Sequence, residues 1–562
     1  MPPLLTSYRS RARRQRTGFL LSGLLLLGAA LPGWAQRIGA TVDESGVQVT
    51  YHVKPGGNDN SSGLSADQPL GGLSAAIDKA ERESLSRGQK TKILVYPGTF
   101  NTAVWKKTWS ATARATVLII EGAAQGQVTL RADGGSGSVF SFGQKDNLVL
   151  RNLVFTNGSN NGSMWGGNFS PLPPSNQREH DWLVTNCDFR NGTTAGLSLH
   201  GIDNVTVQNC TVTNNRGPGI SYVGRYGKFV NLTITGNGNG DGANGAFSIG
   251  CTNSLFDNIT VSDNRGPGLR QDWTCENLTV TNSRFERNGQ EGMIFEVCLG
   301  PVLLRNCVVA NNGKAGIDLI TVHGMTLDNC RLTDNAEAQL LVNPQDRSEF
   351  IPPDAGSAAN LELEDWLSKK PILWVRNTKI LNSTLCVTQA NSTAKLIKRF
   401  DQTNYLEYAK WFRDEYQGSG NKFTAPNNGA TAFDVSTLYF PADRAYGDLA
   451  GWRQATGEDA GSTFSATCAG ATALPTTAAA EQAGFGLYPN PAHDQLTVEL
   501  PAGAAAAQLR VVDAAGRLVL RQAVPAGVRR HTLALPAGLA PGLYLLRLDQ
   551  GTRHLSQRFA RE

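Results

Sequence analysis

Residues 182–191 read WLVTNCDFRN, residues 205–214 read VTVQNCTVTN, and residues 302–311 read VLLRNCVVAN. In each, an Asn has apolar residues four and two positions before it and one and three positions after it. Around Asn186 these are Trp182, Val184, Cys187 and Phe189; around Asn209 they are Val205, Val207, Cys210 and Val212. The frame recurs in full at Asn152, Asn306 and Asn329 and with one position not apolar at Asn231 (Gly227), Asn258 (Ser254) and Asn282 (Ser283), and from Asn186 onward the steps are 23, 22, 27, 24, 24 and 23 residues. Alternation before the Asn is one strand with an inward face. Alternation after it, shifted by one, is a second strand entered through a sharp turn, and Asn tolerates the left-handed backbone that such a turn needs. A third short strand follows a Gly corner at Gly196-Leu197, Gly219-Ile220, Gly268-Leu269, Gly292-Met293 and Gly316-Ile317. Three strands per period of about 23 residues make one coil of a right-handed parallel β-helix, with coils stacked at about 4.8 Å. The fold class is therefore all-β, and the repeated Asn side chains are expected to hydrogen-bond in an internal ladder.

The same register stacks Cys187 on Cys210, Cys307 on Cys330 and Cys251 on Cys275, so these thiols are expected in the core as small apolar residues. No CxxC pair or His–Cys cluster marks a metal site.

Length and composition agree with a solenoid. A chain of 562 residues is too long for one ordinary compact domain, but in a solenoid each repeat needs only its neighbours. With 61 Gly and 18% charged residues the chain is turn-rich, unlike a helical bundle or coiled coil. A hydrophobic fraction of 40% argues against disorder. Residues 36–485 hold 38 bases and 42 acids, so they lack the basic surface that nucleic-acid binding needs.

The ends are of different character. Arg9, Arg11, Arg13, Arg14 and Arg16 precede the apolar run Gly18 to Leu31 and then Pro32-Gly33-Trp34-Ala35. This reads as a signal peptide over 1–35, cut after Ala35; the run is short for a membrane span. The β-helix is expected over 36–470, its first coil capped by an amphipathic helix from Leu73 to Leu85 with Leu73, Ala76, Ile77 and Ala80 on one face. An Ala/Thr-rich linker follows at 471–485. Alternating strands broken by turns then make a small C-terminal β-sandwich at 486–562.

Two resemblances follow from particular motifs. The opening Val53-Lys54-Pro55-Gly56-Gly57-Asn58-Asp59, the helix segment Ala75-Ala76-Ile77 and the strand Ile93-Leu94-Val95-Tyr96-Pro97-Gly98-Thr99-Phe100 resemble the start of secreted pectate-lyase-like β-helix proteins. The late segment Trp452-Arg453-Gln454-Ala455-Thr456-Gly457-Glu458-Asp459 is similar to a final-coil motif of that group. The resemblance implies the fold; the superfamily includes lyases, hydrolases, epimerases and inactive binders. Tyr488-Pro489-Asn490-Pro491-Ala492, Asp513-Ala514-Ala515-Gly516-Arg517 and Gly542-Leu543-Tyr544-Leu545-Leu546-Arg547-Leu548 resemble the C-terminal sorting domain of the type IX secretion system. That implies the type IX machinery as a partner, and secretion or attachment at the outer cell surface. The bland alternative is a carbohydrate-binding β-sandwich.

Chemistry in such a fold belongs on the outward face of a strand. The strand after the Gly corner offers the outward pairs Ser198 and His200, Ser221 and Val223, Ser248 and Gly250, Arg270 and Asp272, Ile294 and Glu296, and Asp318 and Ile320. Stacking is expected to set Asp272 beside Glu296, with Arg270 and Asp318 within two coils. Carboxylates one coil apart tend to share a proton or bind a cation, so Asp272 and Glu296 are the expected ligands of a Ca²⁺ cofactor. Resemblance to polysaccharide lyases implies β-elimination on a uronate, with Arg270, Lys314 or His200 taking the proton. The same acids can instead serve a glycoside hydrolase, or the row can be a surface salt bridge on a non-catalytic glycan-binding protein or spacer. Trp273 and Trp165, the latter in a long insertion from Gly158 to Asp181, can stack on sugar rings or pack on the next coil. The expected protein is a secreted monomer acting on a polysaccharide, as a lyase before the other readings, with catalytic Arg270, Asp272, Glu296, Asp318 and Lys314 and substrate contacts at Trp273, Trp165 and His200.

Overall fold

The computed structural model describes residues 38–101, 104–106, 108–132, 138–158, 160–165, 178–238, 246–271, 275–343, 375–399, 415–426, 429–435, 446–465 and 467–468 of the first part of the chain. Of the last part it describes 486–488, 492–499, 506–512, 518–528, 530–536, 538–540, 542–550 and 553–561. The chain divides into two compact units, Met1–Cys468 and Ala469–Glu562. The expected signal peptide and linker lie outside the described residues. No helix among the described residues is long and apolar enough to cross a membrane.

The first unit is a parallel β-helix of three sheets. Each coil passes through sheet B, turns at the repeated Asn into sheet C, turns again into sheet A, and returns to sheet B one rung higher. One turn of this path runs Glu179–Thr185, Asp188–Arg190 and Ala195–His200, and then continues into Ile202–Thr213. Rungs pair in parallel register, for example Trp182 with Val205 and Phe189 with Val212.

The corner Asn residues have the left-handed backbone expected of them: Asn152, Asn186, Asn209, Asn231, Asn258, Asn282, Asn306 and Asn329 all have φ between 52° and 60°. Their ladder differs from the expectation. Bonds such as Asn258 Nδ2 to Asn231 Oδ1 at 2.7 Å and Asn329 Nδ2 to Asn306 Oδ1 at 2.8 Å run along an exposed edge. The internal ladder is formed by a second set of Asn residues six positions later. Asn215, Asn237, Asn264, Asn288, Asn312 and Asn335 are buried. Each of the first five donates to the next at 2.8–3.1 Å, and Asn335 donates to Gln339 Oε1 at 2.8 Å. Each also donates to a strand carbonyl, as Asn288 does to Val261 O at 3.1 Å. Buried amides persist only when satisfied in this way. The ladder also accounts for the Gly corners: a Cβ on Gly292 would lie 2.7 Å from Asn312 Nδ2, and one on Gly316 2.6 Å from Asn335 Nδ2.

The core is apolar and stacked. Phe155 lies on Phe189 at 4.8 Å, and Phe229 on Phe256 at 4.9 Å, both near parallel. Seven Cys residues are buried as free thiols, including the stacked Cys187 and Cys210; Cys386 and Cys468 are joined by a disulfide.

Both ends are closed. The helix Leu73–Glu83 buries Leu73, Ala76, Ile77 and Ala80 over the first coil. Asp59 Oδ1 accepts the amides of Gly71 and Gly72 at 2.8 Å each, so the Asn-Asp motif is structural. At the other end Asp459 is buried and accepts from Tyr416, Trp452, Asn421 and Ser462, which gives the Trp452–Asp459 segment its role as a plug. A strap at 38–48 crosses the outer face of sheet B. Gly39 N donates to Tyr226 O at 2.8 Å, Glu44 pairs with Arg151 at 2.6 Å, and Val42 and Val47 pack on Val117, Ile119 and Val149.

The second unit is antiparallel. A three-stranded and a four-stranded sheet share one core that includes Leu496, Val498, Leu509, Leu546 and Phe559.

Candidate active site

Several strands of sheet A are covered on both faces, although Ile220–Arg225 alternates. In Met293–Cys298 and Ile317–Val322 every residue is buried, outward side chains included. In sheet B the pattern alternates, as in Glu276–Thr281 and Met325–Asp328. The longest departures from the coil period lie between Asn152 and Asn186 and between Asn329 and Asn382, after the sheet A strands Asn160–Trp165 and Ala338–Val342. Long connections in a tight solenoid gather where function is.

The register of the outward row is set by backbone pairing. Ser198, Ser221, Ser248, Arg270, Ile294, Asp318, Leu341 and Lys398 follow one another rung by rung. The stacking brings Arg270 to Glu296, Arg270 NH2 lying 3.4 Å from Glu296 Oε2. Asp318 is on the next rung and offset along the strand, since it pairs with Ile294 while Glu296 pairs with Ile320. Lys314 turns to Glu291 in the corner one coil below, at 3.2 Å. Glu337 and Lys398 pair at 2.7 Å on the following coils.

Asp318 is the distinctive group. It is 5% exposed. Oδ2 accepts from Asn343 Nδ2 at 3.5 Å, and Oδ1 is buried without a hydrogen-bond partner among the described residues. Burial first, and then the Glu291 carboxylate, push its carboxyl up from 3.8 to about 8. It therefore keeps its proton at neutral pH, beside a carboxylate held by an arginine.

One expected member, His200, stands elsewhere. His200 is three rungs from Arg270, about 14 Å at the strand spacing. It is buried and its Nε2 is 2.8 Å from Ser221 Oγ; burial lowers it to about 4. Asp272 and Trp273 lie outside the described residues. Trp165 ends the strand Asn160–Trp165, in register with His200, and its side chain is not described. Among the described residues no group of three His, Cys, Asp or Glu is placed to hold a metal ion. Glu296, one of the two expected Ca²⁺ ligands, faces Arg270 instead. The other, Asp272, lies outside the described residues.

Glu291 and Asn343 escaped the sequence reading. Asn343 had a signal: two residues past Leu341, it continues the row of Asp272, Glu296 and Ile320. Glu291 precedes the Gly292 corner, where strand alternation assigns no direction.

Comparison with known proteins now bears on this architecture. Residues 175–332 match the family model of the right handed beta helix region, and residues 486–561 match that of the secretion system C-terminal sorting domain. The chain is a right-handed β-helix with a type IX sorting domain. The sorting domain directs it by type IX secretion to the cell surface or the extracellular space. Solved structures similar to it include a mannuronan C-5 epimerase A-module from Azotobacter vinelandii, at 16% identity over 71% of this chain and 94% of that one, with a TM-score of 0.44. A pectate lyase is similar at 13% identity over 64% and 79%, with a TM-score of 0.36. The catalytic domain of an alpha-1,3-glucanase is similar at 12% over 64% and 68%, with a TM-score of 0.35. No curated protein matches the chain.

Proposed function

We propose that this β-helix cleaves a glycosidic bond of an extracellular polysaccharide on the outer face of sheet A, with Asp318 as general acid and Glu296 as general base. The observation that carries the reading is the Asp318 carboxyl. It faces outward on the sheet where the insertions gather, retains its proton at neutral pH, and lies one rung from the Arg270–Glu296 pair. Two carboxyl groups whose surroundings hold one protonated and the other ionised are suited to acid and base roles. Asp318 delivers its proton to the departing glycosidic oxygen. Glu296, oriented by Arg270, takes a proton from the attacking water.

Hydrolysis is favoured over elimination by charge. A uronate needs a cation for its carboxylate, and Arg270, Lys314 and Lys398 each face an acid: Glu296, Glu291 and Glu337. The offset of one rung and two residues places the two backbones about 8 Å apart. Whether the product is inverted or retained follows from the separation of the two carboxyls themselves.

The test is a panel of neutral and uronate polysaccharides, assayed with the full chain for reducing ends and for absorbance of unsaturated products. Reducing-end release, lowered about 10²–10⁴-fold in Asp318→Asn and in Glu296→Gln, is the expected result. Unsaturated products establish elimination instead. Binding without turnover on every glycan, or full turnover by Asp318→Asn, removes the reading.

A further inference from the structure

The outer row of sheet A continues below Arg270 as a run of serines. Backbone pairing sets Ser141, Ser163, Ser198, Ser221 and Ser248 in register, and Ser248 with Arg270. Two residues further along the strands, His200 is in register with Trp165 and with Val223, and Val223 with Gly250. Leu197 and Leu199 belong to the core, so the alternating Ser198 and His200 point out of it. Here His200 Nε2 lies 2.8 Å from Ser221 Oγ, one rung away. That length is the one a nucleophile and its base require. His200 is buried and Ser221 half-buried, so the imidazole is shielded while the hydroxyl is open to solvent. Burial, which lowers His200 to about 4, leaves the imidazole neutral at pH 7, the form that accepts a proton.

We propose that Ser221 and His200 are the nucleophile and general base of a second catalytic centre, which hydrolyses short acyl esters, such as acetyl groups, carried by a polysaccharide. Ser221 Oγ bonds to the acyl carbonyl carbon, and its proton passes to His200 Nε2. The bond from that carbon to the sugar oxygen breaks, and His200 returns the proton to the departing sugar hydroxyl. Water then attacks the acyl-Ser221 carbonyl and gives a proton to Nε2. The bond to Ser221 Oγ breaks, Oγ recovers the proton, and a carboxylic acid leaves. Water is the only co-reactant. Half-buried Val223 gives the acyl methyl an apolar neighbour, and Gly250 beyond it has no side chain to fill the space. Ser198, one rung below Ser221, offers the oxyanion a hydroxyl donor. Ser221 is two rungs from Arg270, about 10 Å, so one glycan chain lying along sheet A spans both centres. The proposal does not rest on the cleavage reading: it uses none of those residues and yields a different product.

The experiment treats the full chain with a fluorophosphonate, which reacts with activated serines, and locates the adduct by peptide mass spectrometry. In parallel, acetate release is measured from O-acetylated xylan, pectin and alginate. The expected results are an adduct on Ser221 and acetate release that falls about 10²–10⁴-fold in Ser221→Ala and in His200→Gln. Labelling is done on the parent protein, so it decides the matter even where a variant fails to fold. No adduct on Ser221, an adduct without acetate release from any ester, or release that survives in Ser221→Ala overturns the proposal. Reducing ends are measured in the same samples. Acetate without reducing ends removes the cleavage reading and leaves this centre, and reducing ends without acetate remove this centre alone.

Discussion

Asp318→Asn should make the protein more stable at alkaline pH while disabling it. The folded protein holds the Asp318 carboxyl at about 8, against 3.8 without the burial and the neighbouring acids. Between those values the folded state binds a proton that the unfolded state has released, so stability falls as pH rises. The full stabilising effect of the protonated form is present below pH 4. It is lost progressively up to pH 8 and does not change further above that. The interval is about four units at about 1.4 kcal/mol each, an upper bound of about 6 kcal/mol. Asn is the same size, does not titrate and can accept from Asn343. Chemical denaturation of parent and variant at pH 4, 6, 7 and 9 tests this. The expected midpoints coincide at pH 4 and diverge in favour of the variant as pH rises, levelling off above 8. A variant less stable than the parent at pH 9, or a difference independent of pH, refutes the argument that Asp318 is buried at a cost the active site requires.

Further outcomes are expected elsewhere. Asn288→Ala removes donors to Val261 O and Asn312 and the acceptor for Asn264. It should cost about 2–4 kcal/mol, against about 1 kcal/mol or less for Asn306→Gly on the exposed edge; equilibrium denaturation compares them. Asp459→Asn sets an amide among four donors in the last coil and should cost about 2–4 kcal/mol, read as early proteolysis near residues 446–465. Gly39→Ala strains a backbone at φ 93° and brings a Cβ to 2.6 Å from Thr206 Oγ1. It should release the strap, measured as faster amide exchange over residues 38–48 with little change in the midpoint of the β-helix.

The period of the chain was legible because a solenoid repeats its local physics. The Asn corners, the inward Cys and Phe positions and the apolar face of the capping helix all follow from alternation and backbone preference, which act within one coil. The Arg270–Glu296 and Ile294–Asp318 neighbourhoods were also within reach, since a constant rung length maps sequence offset onto distance. The buried ladder was misplaced. Asn209 and Asn215 carry the same side chain, and only the packing of Gly corners against the second set decides which faces inward.

What the residues alone determined is the winding and the C-terminal sorting domain, because each depends on spacing along the chain. Only the folded structure decided the charge state of the outward row of sheet A. Whether a carboxyl holds a proton depends on its burial and on Glu291, Asn343, Glu337 and Glu296, groups from other corners and coils whose distances no local pattern encodes.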